Sequence, residues 1–144
     1  MTSMIGIFVG ASFLTWTLGF YVGKLLERYN YWDHPNKRSS HTNPVLRGGG
    51  VAIAITQMIA ICMLVCPTHP SLGGAWVAGI LALTAIGLFD DKREAPIVLR
   101  LGIQIISSLS VLFVLQGGGW TVMEIAFGLV LMISFVNFVN FMDG

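Results

Sequence analysis

Residues 72–91 read LGGAWVAGILALTAIGLFDD, an uncharged apolar run that ends abruptly in two adjacent aspartates. A run of this length is close to the roughly 20 apolar residues that a membrane-spanning helix needs. The whole chain has 144 residues, 55% hydrophobic and only 10% charged, with a mean hydropathy of +0.78. Since soluble domains carry roughly 25% charged residues, the sequence predicts an all-α, polytopic transmembrane helix bundle that forms a single membrane domain over 1–144.

Apolar runs on either side of this stretch bring the expected number of spanning helices to about five. The predicted helices cover 4–23, 49–66, 72–89, 97–115 and 120–142. All 8 Lys and Arg residues lie in or beside the segments 24–48 and 90–100, whereas 67–71 and 116–119 contain none. The positive-inside rule therefore predicts a multi-pass protein of the inner (plasma) membrane, with its N-terminus outside and its two basic segments in the cytoplasm.

Three polar islands interrupt the apolar sequence, and the predicted topology places all of them at the cytoplasmic face. They are 33–50 (DHPNKRSSHTNPVLRGGG), 90–100 (DDKREAPIVLR) and 137–144 (NFVNFMDG). The basic residues are few and close to the membrane rather than spread over a basic face, so nucleic acid is not an expected partner. Cys62 and Cys66 lie in an apolar segment and are expected to pack rather than to form a disulfide framework.

The second island begins with Asp90 and Asp91, where the third predicted helix meets the interface. Carboxylates at that depth are costly unless they are paired or bind a metal. Hard oxygen ligands suit Mg²⁺, and one carboxylate could accept a proton from a phosphate nucleophile. Both aspartates are therefore candidate catalytic and metal-binding residues. The alternative is a solvated pair neutralised by Lys92 and Arg93.

The third island repeats a polar residue every three positions, at Asn137, Asn140 and Asp143. At about 100° per residue, all three fall within an arc of about 120° on one helix face. Amides in apolar helices also serve as contacts between helices, and that alternative stays open for Asn137 alone. The set as a whole predicts a polar, substrate-binding cleft shared with the aspartate pair.

The first island is rich in residues that can bind an anion. Arg38 and Arg47 can each contact a phosphate through two donors, and Ser39 and His41 add further short-range donors. The glycines at 48–50 let the backbone approach a partner closely. These side chains are candidate substrate-binding residues, and the alternative is a polybasic loop attracted to anionic lipids.

Together, the three islands resemble the polyprenyl-phosphate N-acetylhexosamine-1-phosphate transferase family. The matching motifs are D-x-P-x-x-R-S-S-H followed by P-x-x-R-G-G-G-V-A-I, then G-L-F-D-D-K-R with R-L-x-x-Q, then N-F-V-N-F-M-D-G. They occur in the family's order over about 33–144, and the combination is far more specific than any one motif.

The resemblance implies an enzyme that transfers N-acetylhexosamine-1-phosphate from a UDP-sugar to polyprenyl phosphate, typically undecaprenyl phosphate, and releases UMP. It implies Mg²⁺ as cofactor, a cytoplasmic site and a role in starting cell-envelope glycans such as O-antigen. By similarity, Asp90 and Asp91 match the family's aspartate pair, while Asn140 and Asp143 match an element of the nucleotide-sugar pocket. The implied partners are the polyprenyl phosphate lipid, the UDP-N-acetyl sugar, the membrane and, as one option, a second copy in a homodimer.

The family's last motif normally continues into a second Asp-Gly, and a later Gly-Asp-x-Gly-Ser element carries a principal Mg²⁺ ligand. Neither is present before Gly144, so we expect the chain to be the N-terminal part of a larger transferase fold and, by itself, an inactive truncation. The alternative is a non-catalytic membrane protein, either a remnant or a subunit that depends on a partner. A small transporter is less favoured, because its ionisable residues would lie near the bilayer midplane.

Overall fold

The computed structural model describes residues 2–35, 42–93, 95–116 and 119–143, with side chains throughout these ranges except at 2, 3, 116 and 139–143. In these residues five α-helices follow one another: α1 (Thr2–Arg28), α2 (Gly50–Leu64), α3 (Pro70–Lys92), α4 (Ile97–Gln116) and α5 (Val122–Asp143). The predicted all-α helical membrane bundle is confirmed. Two short strands that the sequence did not predict, β1 (Trp32–Asp33) and β2 (Val45–Leu46), pair antiparallel between α1 and α2.

Three helices in the described residues are long and apolar enough to cross a membrane: Met4–Arg28, Pro70–Lys92 and Ile97–Leu115. Two shorter apolar helices accompany them, Gly50–Leu64 and Val122–Phe138. The 15 residues of α2 extend about 22 Å at 1.5 Å per residue, less than the roughly 30 Å of a hydrocarbon core. This helix therefore falls short of the predicted 49–66 span. Helix α2 ends at Leu64, shortly before Pro67, which has no N–H to continue the helical hydrogen bonds.

Contacts divide the chain into two compact units, Met1–Ala60 and Ile61–Gly144. In the first unit, α1 is capped at its C-terminus by Asn30, whose φ of 55° is left-handed. The N–H of Asn30 donates to Glu27 O (3.0 Å) and that of Tyr31 to Leu26 O (2.9 Å). This is a Schellman motif, and asparagine tolerates its left-handed position better than most residues do.

Helix α1 extends past its predicted end at residue 23. Lys24 and Arg28, predicted to lie in the following loop, instead belong to the helix, and Arg28 lies in its last turn, where a cation interacts favourably with the helix dipole. Lys24 Nζ also lies 4.3 Å from the centre of the Phe20 ring. In the same unit, Thr15 Oγ1 on α1 lies 3.0 Å from Thr56 Oγ1 on α2, a polar contact between apolar helices.

In the second unit, α4 packs against both α3 and α5. Small residues allow close helix contact, and one such contact lies at Gly79. A Cβ added there would lie 3.6 Å from the Cβ of the buried Ser107. Gly87 and Gly102 have open space around them, with nothing within 4 Å of an added Cβ.

Buried and exposed side chains are distributed as in a membrane protein. Most of the buried residues are small or polar: Ala52, Ala54, Thr56, Ala95, Ser107 and Ser108. Large apolar side chains face outward instead, among them Phe8, Trp16 and Phe113, each more than 70% exposed. Small residues at helix contacts and large apolar residues outside suit a lipid environment, because lipid tails solvate the large side chains.

Candidate active-site cleft

Asp90 lies in the last turn of α3 and joins three parts of the second unit. Its Oδ1 accepts a hydrogen bond from the backbone N–H of Ala95 (2.7 Å), just before α4. Its Oδ2 accepts from Nη1 of Arg100 in the first turn of α4 (2.9 Å). The two side chains are 29% and 36% exposed, respectively. Asp90 thereby positions both the α3–α4 connection and the arginine.

One turn further along α4, a second polar contact joins this helix to α5. Asn137 Nδ2 donates to Gln104 Oε1 (2.7 Å) and to the backbone carbonyl of Ile133 (2.8 Å). Arg100 and Gln104 are four residues apart and therefore lie on one face of α4. The two polar contacts thus lie side by side across three helices.

A small cleft opens between these contacts, with a cavity volume of about 120 Å³. Its lining combines four polar residues with four apolar ones: Asp90, Arg100, Gln104 and Asn137, with Leu83, Ile86, Gly87 and Val136. Pockets for whole small molecules usually measure roughly 300–1,000 Å³. The cleft therefore fits a fragment, such as one phosphate or one acetamido group, rather than a complete nucleotide sugar.

The structure brings together only part of the predicted site. Asp90 and Asn137 line the same cleft, and the half-buried Asp91 follows Asp90 in α3. Asn140 and Asp143 belong to α5, one and two three-residue steps beyond Asn137, but their side chains lie outside the described ones. The geometry of the predicted cleft is thus described at Asn137, while the roles of the two later residues stay predictions.

The described residues of the first island, 33–35 and 42–50, belong to the first unit. The register of the strand pair sets Asp33 opposite Val45, and Arg47 Nη2 lies 2.8 Å from Asp33 Oδ2. The Arg47 N–H also donates to Tyr31 O (2.9 Å). Arg47 thus links the two ends of the segment that connects α1 and α2. Arg38, Ser39 and His41, the other predicted substrate-binding residues here, lie outside the described residues.

Asp90 and Asp91 fit Mg²⁺ if phosphate oxygens and water supply the remaining ligands of the ion. No cluster of three or more His, Cys, Asp or Glu side chains able to hold a metal occurs in the described part of the chain. Each Asp90 oxygen accepts one hydrogen bond, and an ionised carboxylate has about four lone-pair sites, so capacity for a cation remains. Mg²⁺ often takes one or two carboxylates and completes its shell with phosphate oxygens and water.

Neither Arg100 nor Gln104 was assigned to the site from the sequence. A signal for both was present, because the R-x-x-x-Q spacing places a cation and an amide on one face of an apolar helix. Their partners on α3 and α5 could not be predicted from the sequence. These partners are 10 and 33 residues away along the chain, and the contacts depend on how the helices pack.

No family model matches the chain, and no solved structure matches it. Two curated relatives do, and both are named decaprenyl-phosphate N-acetylglucosaminephosphotransferase. The relative from Mycobacterium leprae is 28% identical over 157 residues, covering 93% of this chain and 39% of the relative. The relative from Mycolicibacterium smegmatis is 29% identical over 159 residues, covering 93% of this chain and 38% of the relative. The chain therefore spans about two fifths of the length of these relatives.

Proposed function

We propose that this chain, which is similar to two decaprenyl-phosphate N-acetylglucosaminephosphotransferases over part of their length, contributes the lipid-phosphate side of such an active site. The proposed reaction moves N-acetylhexosamine-1-phosphate from a UDP-sugar to a polyprenyl phosphate and releases UMP. Its place is the cytoplasmic face of the inner membrane, where it starts a cell-envelope glycan. The observation that carries the proposal is the Asp90–Arg100 pair that lines a small cleft between apolar helices.

The chemistry of phosphoryl transfer agrees with this arrangement. Two anionic substrates must approach each other, so catalysis depends on charge neutralisation and alignment more than on covalent help. Arg100 has five N–H donors in a fixed fork, and Asp90 engages one of its nitrogens. The remaining donors can bind a phosphate while Asp90 keeps the guanidinium oriented.

Magnesium completes the proposal through the two aspartates. Asp90 and Asp91 are the residues that would hold the ion, which, when bound, supplies further neutralisation of phosphate charge. In this proposal Asp90 serves binding and orientation, because both of its oxygens already accept hydrogen bonds. Asp91 remains the other candidate catalytic carboxylate.

The test measures transfer in lipid vesicles that contain the chain joined to the remaining part of the Mycobacterium leprae relative, because the chain covers 39% of that relative and is expected to be inactive by itself. With radiolabelled UDP-N-acetylglucosamine, decaprenyl phosphate and Mg²⁺, we expect label to enter the organic-extractable lipid fraction, and Asp90→Asn to abolish that transfer. Ser110→Ala on α4 serves as the control, because within the described residues its hydroxyl donates to the backbone of its own helix, at Ser107 O. A joined protein that folds but transfers no label, while the intact relative does, contradicts the proposal and favours a non-catalytic membrane protein.

A further inference from the structure

The hydrogen bonds of Asn137 fix the orientation of two side-chain amides in the cleft, those of Asn137 and Gln104. The carbonyl oxygen of Ile133 can only accept a hydrogen bond, so the Asn137 atom 2.8 Å from it must be the NH₂ group. The second N–H of that group points to Gln104 at 2.7 Å. Gln104 must therefore present its Oε1 to Asn137, because two NH₂ groups cannot hydrogen-bond to each other.

This orientation determines which polar groups remain for a ligand. Asn137 has used both of its donors and keeps Oδ1 as an acceptor. Gln104 has used Oε1 and keeps the two donors of Nε2. Within the described residues, neither Asn137 Oδ1 nor Gln104 Nε2 forms a hydrogen bond with the protein. Both side chains line the cleft. The cleft thus has a neutral donor group, Gln104 Nε2 on α4, and a neutral acceptor, Asn137 Oδ1 on α5.

A donor and an acceptor of this kind complement a secondary amide. The ligand's carbonyl would accept from Gln104 Nε2, and its N–H would donate to Asn137 Oδ1. In a trans amide these two groups point in opposite directions, which suits polar atoms that come from two helices and do not bond to each other. The cleft volume of about 120 Å³ equals about four waters at roughly 30 Å³ each, enough for an acetamido group.

We propose that Gln104 and Asn137 recognise the acetamido group of an N-acetyl sugar, with Gln104 as a specificity-determining residue. The proposal rests on the proposed function and deepens it by assigning two tasks to adjacent groups of one cleft. The Asp90–Arg100 pair neutralises phosphate charge, and the amide pair distinguishes an N-acetyl sugar from a plain hexose. An imide edge of a nucleotide base offers the same donor–acceptor chemistry, so the experiment separates the two sources.

The experiment measures binding, so it does not depend on turnover. Calorimetry on the chain in lipid nanodiscs compares UDP-N-acetylglucosamine, UDP-glucose, which lacks the acetamido group, and UMP. Gln104→Met removes the donor and the acceptor while preserving length. Gln104→Glu keeps an acceptor for Asn137 and removes only the donor to the ligand. Ser110→Ala is the matched control on the same helix.

For the wild-type chain we expect a preference of about 5- to 10-fold for UDP-N-acetylglucosamine over UDP-glucose, the range that one or two neutral hydrogen bonds supply. Both Gln104 variants should reduce the ratio to about 1, and the uncharged Gln104→Met should change affinity for UMP little. The added charge of Gln104→Glu weakens both nucleotide sugars and UMP alike, so the ratio of the two sugars isolates the acetamido contact.

Each remaining outcome identifies what failed. A preference that the Gln104 variants leave intact overturns the acetamido assignment while the proposed function stands. A loss of UMP binding in Gln104→Met as large as its loss of UDP-N-acetylglucosamine binding assigns the amide pair to the base and likewise overturns it. If the folded wild-type chain, checked by circular dichroism, binds neither nucleotide sugar, this assignment is wrong, and the transfer assay decides the proposed function separately.

Discussion

The polar cleft and the glycine contacts belong to the same unit of the chain but are specified in opposite ways. The glycine contacts are three places where a helix glycine meets a close neighbour: Gly73 at Cys66, Gly79 at Ser107 and Gly128 at Leu112. There the missing side chain allows close packing. In the cleft, by contrast, hydrogen-bonding groups are brought together, and the glycine that lines it, Gly87, has open space around it. Substitutions should therefore impair chemistry in the cleft and stability at the glycine contacts.

The largest expected effect is at Asp90. Asp90→Asn removes the charge that orients Arg100 but keeps the size of the side chain, so transfer should fall at least about 100-fold, as when an electrostatic group of an active site is removed. Thermal unfolding should change little, since the pair is partly exposed. The measurement is label transfer together with a melting curve. If Asp90→Asn lowers the melting temperature strongly but leaves label transfer almost unchanged, the cleft serves packing rather than chemistry. The contrast between the cleft and the glycine contacts is then wrong.

The next effect is at Gly73. A Cβ there would overlap Cys66 Sγ and lie 3.2 Å from the Cys66 Cα and backbone N, and backbone cannot move aside cheaply. We expect Gly73→Ala to lower the free energy of unfolding by about 1–3 kcal/mol, the usual cost of overpacking. Gly74→Ala is the neighbouring control, because nothing lies within 4 Å of its added Cβ. If the two variants have the same free energy of unfolding in detergent, the steric explanation is wrong.

A smaller effect is expected at Gly128. Its added Cβ would lie 3.1 Å from Leu112 Cδ2, the end of a flexible side chain that can shift by a few tenths of an ångström. Gly128→Ala should therefore change the unfolding free energy by less than about 1 kcal/mol, because overpacking is offset by better helix propensity. Gly102→Ala, with open space, isolates the propensity effect. A loss at Gly128 as large as at Gly73 would show that Leu112 is held rigidly.

The smallest effect concerns the start of α5, away from both regions. Thr121 N and Oγ1 donate to Glu124 Oε2 (2.7 and 2.8 Å), and the Glu124 N–H donates to Thr121 Oγ1 (3.3 Å). This is a capping box. Thr121→Val should cost about 0.5–1 kcal/mol in unfolding free energy, whereas Thr121→Ser should retain it. Transfer should be unaffected, and a change in transfer would link this end of α5 to the cleft.

Much of the helical architecture was predictable, because apolar runs of spanning length and turn-forming residues are local signals. The helices began and ended within a few residues of their predicted limits, except that α1 continues past residue 23 to Arg28, where Asn30 caps it. Thr121 with Glu124 caps the start of α5. The T-x-x-E pattern is readable in the sequence, so the role of Glu124 could have been predicted.

The candidate site was predictable in residue type and only partly in geometry. Asp90 and Asn137 were identified from the sequence, and both line the cleft. Arg47 illustrates what was missed, because its ion pair with Asp33 depends on the register of strands too short to predict. The orientation of Asn137 depends on Gln104, 33 residues earlier, and sequence spacing carries no information on that packing.

By itself, the sequence determined a helical membrane chain interrupted by three polar islands, because burial in lipid requires apolar spans and internally satisfied backbones. It also determined the family resemblance through the order of its motifs. Only the tertiary structure decided that Arg100 pairs with Asp90 and that Gln104 turns its oxygen to Asn137. Those contacts join different helices, and the physical reason is that a helix presents a face, while packing selects the neighbour that this face meets.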